Sequence, residues 1–243
     1  MRVAAIFVCV CLSACSSLAG KEYAVYDPGE EINRSTYNVT DRLDRAAIAP
    51  VAQGYQTITP DWLERGVINV FANVRTIGSA INGFLQAKPE SGFTDLSRIL
   101  VNSTIGVGGF FDVATRMDLR YQQEDFGQTL AVWGWHRSRY VYVPFLGPST
   151  WRDLPSTIVR SAMPRLIVGP SYHWGLSGLD AVATRADLLT ASEVRDATAI
   201  DPYAFTRDAY FQRRKFQIYD GAPPLDDFFD EFDEFEEDDA LDF

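Results

Sequence analysis

Cysteine is almost absent from this 243-residue chain: Cys9, Cys11 and Cys15 fall within one stretch near the start, CVCLSACSS, and residues 16–243 have none. A disulfide framework spreads its cysteines so that loops can be closed, and this distribution excludes one. Histidine is scarce as well, and neither His136 nor His173 has a metal-ligand companion at helical spacing, so no metal site is expected. No apolar run reaches the roughly 20 residues that span a bilayer. An excess of basic charge is also missing, with 33 acids against 22 Lys and Arg. Eleven of those acids lie in residues 225–243, LDDFFDEFDEFEEDDALDF, which contain no base; the rest of the chain is balanced, at 22 of each sign. Such a chain offers no basic face to nucleic acid. Catalytic signatures are lacking too. GVGGFF has neither the Lys-Ser/Thr of a phosphate loop nor the dinucleotide spacing. GPS, at 147–149 and 169–171, is no Gly-x-Ser-x-Gly elbow. A serine hydrolase would have to assemble Ser149 or Ser171 with His136 or His173, and nothing in the sequence selects that. The reading is of a protein that is not an enzyme and uses no cofactor.

What is present begins with Arg2, a short apolar run over residues 3–12, and Leu12-Ser13-Ala14-Cys15. Charged start, apolar middle and small residues at the end are the layout of a secretory signal. The last four residues resemble a bacterial lipobox, which makes residues 1–14 the signal and Cys15 the lipidated first residue of the mature chain. Cys9 and Cys11 then leave with the signal, and a thiol-free body suits an oxidising periplasm. Serine rather than aspartate follows Cys15, which by resemblance to lipoprotein sorting points to the outer membrane. Several acyl chains on one residue anchor far better than one. Residues 15–26 have little periodicity and are expected to be a tether.

The body, residues 27–215, is expected to be mainly α-helical. Asp27-Pro28 starts a helix that runs to about residue 47, where Pro50 discourages continuation. Thr59-Pro60 repeats the start signal. Leu63, Val67, Val70, Val74, Ile77, Ile81 and Phe84 then recur at steps of four and three, the stripe of one long helix. Between Gly66 and Ala87 the one charge is Arg75, and the other polar positions are Asn69, Asn73, Thr76, Ser79, Asn82 and Gln86. A surface helix in water carries charges on its polar face. A neutral polar stripe opposite an apolar one suits lipid or protein on one side and a wet cavity, or buried helix–helix hydrogen bonds, on the other. Further helices are expected over 91–105, 126–133 and 204–215, and after Pro148-Ser149-Thr150 and Ser171. Residues 140–147 alternate like an extended segment, with Pro144 marking an edge or loop. A lipid anchor, long uncharged amphipathic segments and no spanning run together describe a protein pressed into one leaflet of a membrane.

Five blocks, in order, resemble the VacJ/MlaA family: DPGEEINRSTYNVTDRLDRAAIAPVAQGY (27–55), NSTIGVGGFFDVA (102–114), FGQTLAVWGW (126–135), YVYVPFLGPSTWRD (140–153) and DPYAFTRDAYFQRR (201–214). The resemblance implies an outer-membrane lipoprotein shaped as a ring-like bundle of amphipathic helices within the inner leaflet, facing the periplasm and associated with an outer-membrane porin trimer. It implies that misplaced outer-leaflet phospholipid descends through an amphipathic channel to a periplasmic lipid-binding carrier, which preserves lipid asymmetry. The alternative reading is a structural lipoprotein that scaffolds a porin or envelope complex and moves no lipid.

Candidates for the lipid path are Asn69, Asn73, Thr76, Lys88, Gly106, Gly108 and Gly109. The family often has more glycines after the block matching Trp133-Gly134, giving a mobile loop beside the channel. This chain has WGWHRSRY, keeping Gly134 and adding Trp135, Arg137 and Arg139, which suit interfacial anchoring or phosphate contact. The remaining segment, 216–243, is expected to be a disordered acidic tail. Its Phe228, Phe232 and Phe235 share helical spacing, which suits folding against a basic surface on the carrier.

Overall fold

The computed structural model describes residues 26–167 and 173–224. Cys15, the rest of the tether up to residue 25, Ser171 and the acidic segment 225–243 lie outside the described residues. The chain forms ten α-helices and one short hairpin among the described residues. In order these are α1 (Glu30–Leu43), α2 (Ala49–Ile58), α3 (Asp61–Leu85), α4 (Pro89–Thr104), α5 (Val113–Arg116), α6 (Phe126–Val132), β1 (Tyr140–Val143), β2 (Gly147–Thr150), α7 (Leu154–Ile167), α8 (His173–Asp187), α9 (Leu189–Thr198) and α10 (Pro202–Ile218).

The sequence expectation differs from the structure at two prolines. Pro50 does not end the first helix. A π turn, Asp44–Ile48, joins α1 to α2, and the Ala49 N–H donates to Asp44 O, one residue further back than in an α-helix. Widening the helix just before the proline relieves the clash between its ring and the preceding turn. Pro148-Ser149-Thr150 does not start a helix either. It forms β2, antiparallel to β1 with Tyr142 opposite Pro148 and Val143 opposite Gly147. In a two-stranded ribbon the missing N–H of Pro148 can face away from the partner, and α7 begins at Leu154 instead. Asp27 also serves another end than the helix cap expected of it. Its carboxylate accepts from Asn33 Nδ2 at 2.8 Å and from the Tyr203 hydroxyl, tying the start of the body to α10.

The helices pack in a closed circuit. α3 lies on α8, α8 on α2, α2 on α9, α9 on α10, α10 on α6 and α6 back on α3, with α7 touching α3, α6 and α8. α3 and α4 form the most intimate pair. Small residues permit it: a Cβ on Gly83 would stand 3.0 Å from the Gly92 backbone nitrogen. Gly83→Val is therefore expected to destabilise the protein by about 1–3 kcal/mol through overpacking, read as a lowered midpoint of thermal unfolding in detergent.

The interior is the reverse of a water-soluble core. Twenty described polar or charged residues are buried against thirteen apolar ones, seven of them alanine. Large apolar side chains lie outside: Ile77, Ile81 and Phe84 on α3, and Phe93, Leu96 and Leu100 on α4, at helical spacing. Scattered exposed leucines are ordinary in soluble proteins, but contiguous apolar faces are not. No described helix is long and apolar enough to cross a membrane.

Candidate functional site

The polar face of α3 is the natural starting point. Asn73, Thr76, Ser79, Asn82 and Gln86 are buried, while Ile77, Ile81 and Phe84 on the other face are exposed. The carboxamides nearest the helix start reach the glycine turn. Asn69 Nδ2 donates to Phe110 O at 3.2 Å, and Asn73 Nδ2 donates to Ser103 Oγ at 3.0 Å. That turn fits closely: a Cβ on Gly106 would meet Phe111 O at 2.2 Å, and one on Gly109 would meet Asn73 at 2.7 Å. Gly108 has φ +70° and open space around it. From Ser79 onward the same face holds the segment before α6. The Glu124 N–H donates to Ser79 Oγ at 2.8 Å, Gln86 Nε2 to Glu124 Oε2 at 2.8 Å, and Thr129 Oγ1 to Asn82 Oδ1 at 2.8 Å. Lys88 is spent on two carboxylates, Glu124 at 3.0 Å and Asp220 at 2.5 Å. It thus joins α3 to the end of α10.

Between these attachments lies a group of residues in an unusual setting. Tyr121 is 37 % exposed, yet burial, with Asp95 adding to it, raises its hydroxyl pKa. Arg160, on α7, is likewise exposed, yet desolvation followed by the nearby Arg75 guanidinium depresses its pKa. Arg75, Tyr121, Arg213 and Asp125 contribute smaller electrostatic effects at Arg160. Beyond Tyr121, Asp95 is 0 % exposed, and burial raises its pKa against the opposing Ser79 and Arg98. Neither of its oxygens has a partner within hydrogen-bond geometry.

A buried ion network joins α10, the start of α6 and the residues before α7. Arg214 donates to Asp125 at 2.6 and 2.7 Å and to Asp153 at 2.8 and 3.1 Å. Arg152 Nε meets Asp153 Oδ1 at 2.9 Å, and the Tyr210 hydroxyl donates to Asp153 Oδ2 at 2.6 Å. Burial alone would raise the Asp153 pKa; Arg214 and Arg152 outweigh it and hold the carboxyl well below the usual range. Arg75 of α3 is paired with Asp180 of α8.

The WGWHRSRY loop is tied down through its backbone. Gly134 turns with φ +111°, Trp133 Nε1 donates to Leu85 O at 3.1 Å, and the Trp135 N–H donates to Leu130 O at 2.9 Å. Arg152 Nη1 donates to the carbonyls of Trp135 and His136, both at 3.1 Å. Trp135, Arg137 and Arg139 line a groove of about 350 Å³ with Tyr26, Ser138 and Trp151, and the Arg137 guanidinium lies 4.3 Å from the Tyr26 ring centre. The structure therefore brings Trp135, Arg137 and Arg139 together and sets Asn69, Asn73, Gly106 and Gly109 at a helix–turn junction. The sequence reading missed the Arg152–Asp153–Arg214 network and its link to Asp125. The paired charges in TWRD and QRR were its one signal, since adjacent bases and acids in otherwise uncharged surroundings are costly unless they meet partners.

Comparison with known proteins agrees with this architecture. The family described as MlaA lipoprotein matches residues 25–217. A relative from Escherichia coli strain K12, the intermembrane phospholipid transport system lipoprotein MlaA, is 32% identical over 213 residues, covering 84% of this chain and 83% of its own. Its counterpart from Haemophilus influenzae is 31% identical, covering 80% of each. A solved structure, reported as the structural basis for maintenance of bacterial outer membrane lipid asymmetry, superposes with a TM-score of 0.68 at 28% identity, covering 81% of this chain and 99% of that one. The match spans the whole helical body, from the residue before Tyr26 to the last turn of α10, and on it the chain belongs to the MlaA lipoprotein family.

Proposed function

We propose that this protein is an outer-membrane lipoprotein that removes misplaced phospholipid from the outer leaflet and passes it to a periplasmic lipid-binding carrier, so maintaining lipid asymmetry. The observation that carries the reading is the inverted partition of side chains, with a polar interior and apolar outer faces on α3 and α4. A leaflet supplies the apolar surroundings that such faces require, and backbone polar groups are satisfied within the helices. No described helix is long and apolar enough to cross a membrane; Cys15 acylation and the outer apolar faces together hold the body in the inner leaflet. A porin trimer is the neighbour implied by the family resemblance, and it would occupy part of that apolar perimeter.

Transfer of this kind breaks no covalent bond. The headgroup travels along the polar passage while the acyl tails remain in apolar surroundings, which avoids the cost of placing unpaired polar groups in hydrocarbon. Direction comes from the higher free energy of lipid in the wrong leaflet and from its removal by the carrier.

Outer-leaflet phospholipid in cells lacking the gene, compared with cells restored with wild type or with Cys15→Ala, tests the reading. Surface phospholipid is expected to rise on deletion and to fall again only with wild type. Unchanged surface phospholipid on deletion would leave the scaffolding role in its place. Full restoration by Cys15→Ala would remove the anchor from the mechanism.

A further inference from the structure

Residues 126–152 contain no acid and three arginines, Arg137, Arg139 and Arg152. Arg152 is buried against Asp153. Arg137 and Arg139 are exposed, and among the described residues neither guanidinium has a hydrogen bond or an ion pair. The acids that border this region are spent elsewhere: Asp125 and Asp153 on Arg214, and Asp27, next to Tyr26, on Asn33 and Tyr203. Both free arginines line the groove of about 350 Å³ that Tyr26, Trp135, Ser138 and Trp151 complete. Stacking on the Tyr26 ring, at 4.3 Å, occupies the face of the Arg137 guanidinium. Its N–H edge is left for an oxyanion, which guanidinium forks match in a planar, bidentate way.

The backbone of the groove is fixed on each side. The Trp151 N–H donates to Arg139 O at 3.0 Å, the Arg152 N–H to Ser138 Oγ at 2.9 Å and the Tyr140 N–H to Tyr26 O at 2.8 Å. The same loop is joined to the apolar outer face of α3. Ile81, Phe84 and Leu85 are exposed at the end of that helix, and Trp133 Nε1 is bonded to Leu85 O. Following the loop from this contact, aliphatic side chains give way to the exposed indoles of Trp133 and Trp135, and these to Arg137 and Arg139. A leaflet has the same order: hydrocarbon, an interface that favours Trp and Tyr, and anionic headgroups that attract bases. Tyr26 stands eleven residues after Cys15. The anchor read from the sequence therefore joins the body beside this groove, through at most about 40 Å of chain.

We propose that this groove docks the headgroup of an anionic phospholipid in the leaflet that holds the body, with Arg137 and Arg139 on its phosphate and Trp135 and Trp151 beside its glycerol. This rests on the leaflet reading above and adds to it a specific headgroup contact that orients the body. A lipid of net negative charge is favoured over a zwitterionic one, because two unpaired guanidinium groups attract the phosphate and repel an ammonium.

The test uses the full lipidated chain purified in detergent and offered an equimolar mixture of phosphatidylglycerol and phosphatidylethanolamine with identical acyl chains. The ratio of the two lipids retained by the protein is the readout. Wild type is expected to retain phosphatidylglycerol in about tenfold excess, the scale of a hydrogen bond between charged groups. Arg137→Gln and Arg139→Gln are each expected to bring the ratio toward one by losing phosphatidylglycerol, with phosphatidylethanolamine unchanged. Arg137→Lys keeps the charge without the planar fork and is expected to fall between. Both side chains are exposed and unpaired, so the midpoint of thermal unfolding should stay within a degree or two of wild type, on the order expected for surface substitutions; a lowered midpoint would assign the arginines to the fold instead. If wild type retains both lipids equally and the variants match it, the headgroup contact is refuted while the leaflet reading survives. If wild type retains neither lipid, the leaflet reading fails and takes the groove with it. If glycerol 3-phosphate at the concentration of the lipid abolishes the preference, the occupant is a free phosphate ester and the proposal is overturned. It is also overturned if a peptide of residues 225–243 abolishes the preference at that concentration, which would give the groove to the acidic segment.

Discussion

Arg214→Met is expected to lower folding stability by about 3–5 kcal/mol, the cost of leaving buried carboxylates without their cation. Arg214 is 8 % exposed at the side chain and Asp153 3 %, and between them they connect α10, α6 and the residues preceding α7. Replacing Arg214 by an apolar side chain of similar length preserves packing but strands Asp153 and Asp125. Gly127→Ala reaches the same network from the opposite side. Its new methyl carbon would lie 2.1 Å from Asp153 Oδ1 and 2.4 Å from Arg214 Nη2, so the pair must part or α6 must move. The two substitutions are expected to be strongly non-additive, because either one disables the same contacts. Thermal unfolding of both single variants and the double variant in detergent measures this directly. Additive losses would show that Gly127 and the ion pair stabilise the protein independently.

The network also fixes an acid limit. For both carboxyls burial pushes the pKa up, but the arginine partners outweigh it, so Asp125 and Asp153 titrate below their unfolded values. A carboxylate whose pKa is depressed by folding contributes stability that is complete above its unfolded pKa, about 3.9, and lost as pH falls through the folded value. Acid sensitivity below about pH 4 should therefore diminish in Arg214→Met, whose carboxylates no longer have that advantage.

Legibility in the sequence followed period and polarity. The α3 stripe repeats at the helical spacing over its whole length, so its existence and the sidedness of Ile77, Ile81 and Phe84 were readable before any coordinates. Pro50 misled because a proline ends a helix only where the chain has no other way to relieve its ring, and the π turn at Asp44–Ile48 is such a way. Pro148 misled because Pro-Ser-Thr is a helix-start pattern in isolation, and only pairing with Tyr142 makes it a strand. The buried ion network was hidden for a different reason. Asp125, Asp153 and Arg214 lie far apart in the chain, on separate elements with no shared spacing, and nothing local marks them as partners. Asn69 and Asn73 were visible as neutral polar positions on α3, but their partners Phe110 and Ser103 depend on how the glycine turn folds back.

The largest effect on membrane association is expected from charging the outer face of the α3–α4 hairpin. Ile81 and Leu100 are 56% and 66% exposed, and they sit on the faces turned away from the polar interior. A lysine in the hydrocarbon region of a helix costs about 2.5–3.5 kcal/mol on insertion scales, which is on the order of a hundredfold in partitioning for each substitution. The anchor would mask this, so the measurement belongs to a chain beginning at residue 16, floated with phospholipid vesicles. That chain is expected to float, Ile81→Lys and Leu100→Lys each to float poorly, and the double variant to remain in the aqueous fraction. Because both positions are on the surface, their unfolding midpoints in detergent should shift little. Flotation that survives both substitutions would mean that this face meets a protein partner rather than lipid. The inverted partition of the helices would then describe an assembly interface, and the leaflet would be held by Cys15 alone.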